Sequence, residues 1–241
     1  THSTTMKRWL DPEPVDVPPA LAEFVGGHPL VAETLARRGV RTVEAARAFL
    51  NADAYNPAPP TALPNLAQAA DRIERAIHAG ELICVWGDFD VDGQTATTVL
   101  VATLRDLGAR VTHYIPVRAT ESHGMKIPAL ERVLDQGAQL ILTCDTGIDA
   151  NEAVAYAGAR GVDVIVTDHH ELPLELPSAY AIVNPHLLPP THALASLPGV
   201  GVAYKLAEEL YARAGRAVEA AKHLDLVALG LVADVAVLEG D

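Results

Sequence analysis

No apolar run in this 241-residue chain approaches the ~20 residues that a membrane-spanning helix needs. The longest candidate, 224–238, is interrupted by Gly230 and Asp234. The start is polar and then proline-rich, without the pattern of a secretory signal. No membrane partner is expected. Cysteine is scarce: Cys84 and Cys144 are the only two, each inside an apolar run. Two thiols do not make a disulfide scaffold, and they fit a reducing cytoplasm and a buried position. Cys144 also adjoins Asp145, which leaves a ligand role open. Aromatic residues are 5% of the chain, sparse for a platform that stacks single-stranded bases. Positive charge is short as well. There are 18 Lys and Arg against 31 Asp and Glu, a net charge of −13, the opposite of the basic footprint that phosphate binding favours.

What is present is a core. Hydrophobic residues make up 49%, too many for a disordered chain. Residues 1–5 precede Met6 and Lys7 and read as foreign to the natural chain. From 6 to 80 a proline-rich stretch carries helical islands: two short helices within 29–50, with Gly39 as a stop and Thr42 as a cap, and an amphipathic helix over 65–79. After Gly80 short apolar runs alternate with helices. Strands are expected over 82–86, 110–115, 139–143, 162–167 and 180–183, and helices over 94–107, 127–136 and 149–160. Two more helices follow, 202–214 and 217–232. Such alternation means βαβ units. The expected class is α/β, a mostly parallel doubly wound sheet flanked by helices, over 81–241, behind an N-terminal helical extension.

Parallel strands joined by right-handed crossovers end on one edge, where open α/β sheets bind ligands. Three of the strands end in acidic or imidazole-bearing clusters. The first is VWGDFDVDG, with Asp88, Asp90 and Asp92 at alternate positions. In an extended chain these would share one face, and three like charges there repel unless cations intervene. A calcium loop is excluded, because position twelve is Val99 and a strand precedes the motif. The second is Cys144-Asp145-Thr146-Gly147 and the third Asp168-His169-His170-Glu171. Carboxylates and imidazoles converging on one edge describe two Mn²⁺ or Mg²⁺ ions. Such a pair suits phosphoryl transfer, since it activates the nucleophile and stabilises the attacking and leaving oxygens. Gly93 and Gly147 permit either ordinary turns or close approach of a phosphate to backbone amides.

GDFDVDG, CDTG, TDHHE and LVALGLVADV, in that order, resemble the motifs of the DHH phosphoesterase superfamily. The third motif, Asp168-His169-His170, is its namesake. Within it the chain is most similar to RecJ-type single-strand exonucleases, on the strength of IVNP at 182–185, LPGVGVAYKL at 197–206 and the lead HPLVAETLARRGVRTVEAARAFLN. The resemblance runs over most of 29–240. It implies that Asp90, Asp92, Asp145, His169 and Asp234 ligate metal, with Asp145 bridging both ions. It implies that His170 contacts the scissile phosphate, that Asp168 orients the histidine pair, and that Asp88 is a ligand or supports one. Asp234 lies in an apolar helical stretch, where an unpaired buried carboxylate is costly and a cation would resolve the cost.

Two departures from the pattern matter. Where RecJ-like proteins carry Gly-Tyr-Gly, this chain has Ser122-His123-Gly124. His123 either replaces an aromatic contact or is a plain loop histidine, and Arg118 just upstream is a phosphate-binding candidate. The sequence also stops at Asp241, whereas RecJ-like proteins continue into a second catalytic-lobe (DHHA1-like) domain and an oligonucleotide-binding (OB-like) domain, so a core fragment is expected. LPGVGVAYK fits a packed helix entry or, less readily, a phosphate-holding turn. The implied activity is metal-dependent 5′→3′ hydrolysis of single-stranded DNA in repair and recombination, with single-strand-binding protein and a helicase as candidate partners. The competing readings are a small-molecule phosphohydrolase, for cyclic dinucleotides, short oligonucleotides or pyrophosphate, and a non-enzymatic interaction module.

Overall fold

The computed structural model describes Leu10 and residues 12–237. Residues 1–5, read above as foreign, lie outside the described residues. Two compact units divide at Pro57 and Ala58. The first holds three helices: α1 (Pro19–Val25), α2 (Pro29–Arg37) and α3 (Val43–Leu50). Sequence periodicity finds α2 and α3 but not α1, which is too short to show a period. Thr42 caps α3 as expected, its side chain accepting from the Ala45 amide. Leu21, Leu35, Ala36 and Ala46 form this unit's small core.

The second unit begins with α4 (Leu66–Ala79) and continues β1 (Leu82–Trp86), α5 (Val91–Asp106), β2 (Arg110–Tyr114), α6 (Arg118–Glu121), α7 (Ile127–Asp135), β3 (Leu140–Cys144), α8 (Asn151–Ala159), β4 (Asp163–Thr167) and β5 (Ala181–Val183). It closes with α9 (Gly199–Arg213) and α10 (Leu224–Ala233). All pairings are parallel, in the order β2-β1-β3-β4-β5. The strands are apolar throughout because both faces are covered. Ile83, Val85, Leu142, Cys144 and Ile165 face α4, α5 and α9. Cys84, Trp86, Ile141, Val164 and Val166 face α7 and α8. The α/β, doubly wound expectation therefore holds. α4 buries Leu66, Ala69 and Ile73 in the core shared with the strands, and the compact unit that bears the sheet runs from Ala58.

Three boundaries differ instructively. The helix expected from 94 starts at Val91, because Asp90 caps it: Asp90 Oδ1 accepts from the Gly93 amide at 2.9 Å. The three aspartates are thus not a row on an extended chain. Asp88 is in the loop, Asp90 is the cap, and Asp92 lies inside the first helical turn. The helix expected from 202 starts at Gly199, with its first amides satisfied by a carboxylate from elsewhere in the chain. The helix expected over 217–232 is a 3₁₀ segment, Ala217–His223, followed by α10. The break falls where buried His223 turns inward to stack on Tyr211.

Candidate metal centre

The order β2-β1-β3-β4-β5 reverses direction between β1 and β3, which opens a crevice at their carboxyl ends. From β1 the chain passes through Gly87, where a Cβ would lie 1.9 Å from Thr97 Oγ1, so the loop sits tight on α5. Gly93 is equally confined, because a Cβ there would meet Asp88 backbone at 2.7 Å. The close approach at Gly93 is of the chain to itself, not of a phosphate. Asp92 points inward and is 2% exposed. Its Oδ2 accepts from the Gly199 amide at 2.7 Å and its Oδ1 from the Val200 amide at 2.8 Å.

β3 delivers Asp145 in a left-handed conformation, φ 58°, a region that Asp tolerates better than most residues. It is 2% exposed. Gly147, at φ 107°, makes the following turn. β4 delivers Asp168, 1% exposed, whose two oxygens are fully used. Oδ2 accepts from the Ile148 amide at 2.9 Å; Oδ1 accepts from the His169 and His170 amides and lies 2.7 Å from His170 Nδ1. Asp168 therefore holds both histidine amides and the His170 ring. Buried Asn184 adds a second hold, donating to the His170 carbonyl at 2.9 Å.

These ends converge. His169 Nε2 lies 3.1 Å from Asp145 Oδ1 and 3.8 Å from Asp92 Oδ2. Two groups of donor atoms each fall within 4.8 Å of one another: Asp145, His169 and His170, and Asp92, His169 and Asp234. They share His169. Asp234 reaches this position because Gly230 lets α10 lie close on α5. A Cβ there would sit 2.6 Å from Thr95 Oγ1 and 3.1 Å from Asp92 Oδ1. Contrary to the expectation from its apolar flanks, Asp234 is exposed, at the C-terminal cap of α10. Asp88 and Asp90 stand at the rim and enter neither group of three.

A divalent cation fits this donor set. Asp145 Oδ1 is buried and has no hydrogen-bond partner, despite the nearby imidazole. An unmet carboxylate oxygen in a dry site is expensive, and a hard cation meets the need. Burial pushes the Asp145 carboxyl up to about 7, with His169 opposing and Asp92 and Asp90 adding to the rise. Burial likewise raises Asp92. The bond to Asp168 holds His170 up at about 9. Asp168, despite its burial, is held below the ordinary carboxylate range by His170 and the backbone amides. A raised Asp145 beside a lowered Asp168 is the pattern of one carboxylate short of partners and another already supplied with donors.

Residues 82–231 match the DHH family, N-terminal domain. The chain belongs to the DHH family. Over 225 residues it is 41% identical to the single-stranded-DNA-specific exonuclease RecJ of Bacillus subtilis (strain 168), covering 92% of this chain and 28% of that protein. The Escherichia coli (strain K12) RecJ is 36% identical over 224 residues, covering 88% of this chain and 38% of the relative. Among solved structures, RecJ from Thermus thermophilus in complex with Mn²⁺ superposes with a TM-score of 0.74 at 33% identity, covering 93% of this chain and 32% of that one. The chain thus spans about a third of the length of the relatives it matches.

The remaining residues singled out in this DHH chain surround the centre. Asp88, His123, Thr146, Asp168, His170 and Glu171 line a cleft of about 410 Å³. Gly124 lines an adjoining cavity of about 490 Å³ that shares His123. Arg118 lies over the Phe89 ring at 4.8 Å, beside the first aspartate motif. Its helix is pinned by Glu121, which accepts from Tyr114 Oη and Arg132 on one oxygen and from the Val117 amide on the other. Cys144 enters neither donor group. It packs in the core with its Sγ 3.3 Å from Thr97 Oγ1, and burial raises its thiol pKa. Sequence reading gave no role to Asn184 or Glu121, and offered the Gly199 and Val200 amides only a phosphate. IVNP and GVG drew notice as family features, but their partners are distant in sequence. The Gly199 and Val200 amides hold the Asp92 carboxylate, which leaves those two no place for a phosphate.

Proposed function

We propose that this DHH domain is the catalytic core of a metal-dependent, single-strand-specific DNA exonuclease of the RecJ kind. The observation that carries the chemistry is the pair of donor groups sharing His169 around the unsatisfied Asp145 Oδ1. Asp90, Asp92, Asp145, His169 and Asp234 would hold two ions, Mn²⁺ or Mg²⁺. Bound ions supply Lewis acidity to the phosphate oxygens and help activate the attacking water. The protein does the rest. Asp145 presents its open oxygen beside His169, the residue that the two groups share. Asp168 holds His170 by its Nδ1 and aims the ring into the cleft, where it can hydrogen-bond a phosphoryl oxygen as its charge grows. Asp88 faces the same cleft, and Arg118 and His123 provide cationic or polar contacts for the flanking strand.

The names of the RecJ relatives support single-stranded DNA as substrate; the reading adds 5′→3′ polarity, a role in repair and recombination, and single-strand-binding protein and a helicase as partners. It also includes the division into a helical extension and a phosphoesterase domain. Among the described residues no helix is long and apolar enough to cross a membrane, which is compatible with the cytoplasmic location proposed here. The acidic surface favours a second reading, hydrolysis of a dinucleotide or another small phosphodiester. Both are tested by incubating the full-length protein with end-labelled single strands and with a dinucleotide, in Mn²⁺ and Mg²⁺, beside Asp145→Ala. Release of nucleotides from the 5′ end by wild type alone is expected. Turnover of the dinucleotide without strand cleavage overturns the exonuclease reading.

A further inference from the structure

We propose that the N-terminal turn of α9 positions the metal centre, Gly199 setting the place of both Asp92 and Asp145; this rests on the two-ion reading above. Two independent contacts meet at that turn. The Gly199 and Val200 amides donate to both oxygens of the Asp92 carboxylate, at 2.7 and 2.8 Å. Asp92 therefore caps a helix that begins 107 residues later in the chain. On the same residue, a Cβ added to Gly199 would stand 2.6 Å from Asp145 Cβ and Oδ1 and 2.8 Å from its Cγ. Glycine is required there by contact, not by backbone torsion, since Gly199 does not have a positive φ.

The physical consequence is a shared support. Free helix N-terminal amides carry partial positive charge and bind a carboxylate well. Each Asp92 oxygen keeps one lone-pair direction after accepting one amide, so it can still face His169 and Asp234. The amides hold that carboxylate in one rotamer and stabilise its charged form in a dry site. Gly199 meanwhile leaves Asp145 room to present its open oxygen. Partners that orient a ligand typically change metal affinity on the order of 10- to 100-fold when lost. Gly201 offers a built-in control. It lies in the same turn, but a Cβ there would press on Leu197 and Pro198, at 3.0 and 3.2 Å, and not on either aspartate.

The test compares Gly199→Ala with Gly201→Ala in the purified chain. Mn²⁺ affinity is measured by calorimetry, the bound ion's environment by paramagnetic resonance, and folding by circular dichroism in EDTA. Gly199→Ala is expected to lose Mn²⁺ affinity on the order of 10-fold or more, with an altered spectrum. Gly201→Ala is expected to keep the wild-type affinity and spectrum even where its thermal midpoint drops. Equal Mn²⁺ binding by Gly199→Ala and wild type overturns the proposal, as does equal loss in both variants. Wild type that takes up no Mn²⁺ overturns the two-ion reading and this one together, so the two failures are distinguishable. If Gly199→Ala does not fold, Asp92→Asn and Asp145→Asn decide in EDTA. The proposal expects a lower midpoint for Asp92→Asn, which loses an amide acceptor, and none for Asp145→Asn. A matching response in the two sinks it.

Discussion

The ends of β3 and β4 deliver a buried aspartate each, side by side on the same edge, and the two could hardly be more differently placed. Asp168 accepts from three backbone amides and pairs with an imidazole. Asp145 has a buried oxygen without a well-formed hydrogen bond, only the His169 imidazole 3.1 Å away. The protein itself meets the needs of the first, and a cation must meet those of the second. Burial and charge do not separate a structural carboxylate from a ligand here. The count of donors does.

Substitutions should widen this contrast. The largest effect is expected for Asp145→Ala, which should lower Mn²⁺-dependent cleavage by about 1000-fold or more, since it removes several kcal/mol of charge stabilisation. End-labelled strand assays read it directly, and near-normal turnover would break the comparison. Asp168→Ala should instead unfold the site. Leaving the Ile148, His169 and His170 amides without their acceptor costs about 1–3 kcal/mol for each donor that stays buried, visible as a drop in denaturant midpoint with or without metal. A metal-dependent drop would reverse the assignment.

Manganese sharpens the same contrast. At about 100 times its dissociation constant, the ion should stabilise the wild-type chain by about 2.7 kcal/mol, with little or no rise in thermal midpoint for Asp145→Ala. An equal rise in that variant would count against the bridging role.

The pH dependence in EDTA follows from the signs. Asp145 is raised to about 7 in the fold, so between its ordinary value near 4 and about 7 the folded state holds the extra proton. Stability then falls as pH rises through that window, by up to about 1.4 kcal/mol per pH unit. His170, raised to about 9, adds stability that is complete below its ordinary value and lost as pH rises through 9. Asp168 works the other way, its contribution vanishing only as pH falls through its depressed value. Melting curves from pH 5 to 8 in EDTA should slope down, and Asp145→Asn should reduce the slope below pH 7 while leaving the part that His170 causes above it. The smallest effect is expected at the rim: Arg118→Ala should raise the KM for single strands several-fold, as a lost exposed charge contact would, without changing Mn²⁺ binding. A fall in Mn²⁺ affinity would place Arg118 in the centre itself.

Much of this was legible in the sequence because it is local. Apolar runs with punctuation mark strands, and parallel strands carry their trailing residues to one edge, so the clusters at Asp88–Asp92, Asp145 and Asp168–His170 could be brought together unaided. The orientation of Asp92 could not. Alternate spacing suggested an extended row, whereas Asp90 caps a helix that has already begun at Asp92 and turns it inward to cap α9. Asp234 misled through its neighbours. Apolar flanks suggested burial, yet α10 buries only Val227 and Gly230 and leaves the carboxylate at an exposed end. Contacts across a hundred residues, such as Asp92 with Gly199, leave no local periodicity to read.

The cap on α9 also orders events in time. A chain being synthesised produces Asp88 through His170 before Gly199 exists, and Asp234 after α9 and α10. Until α9 docks, Asp92 has no amides to fix it, and until α10 follows, one donor group lacks its third member. Since domains fold as units once their elements are available, a partly made chain carries an acidic edge but no finished centre. A metal centre assembled in that sequence is incomplete until the fold is.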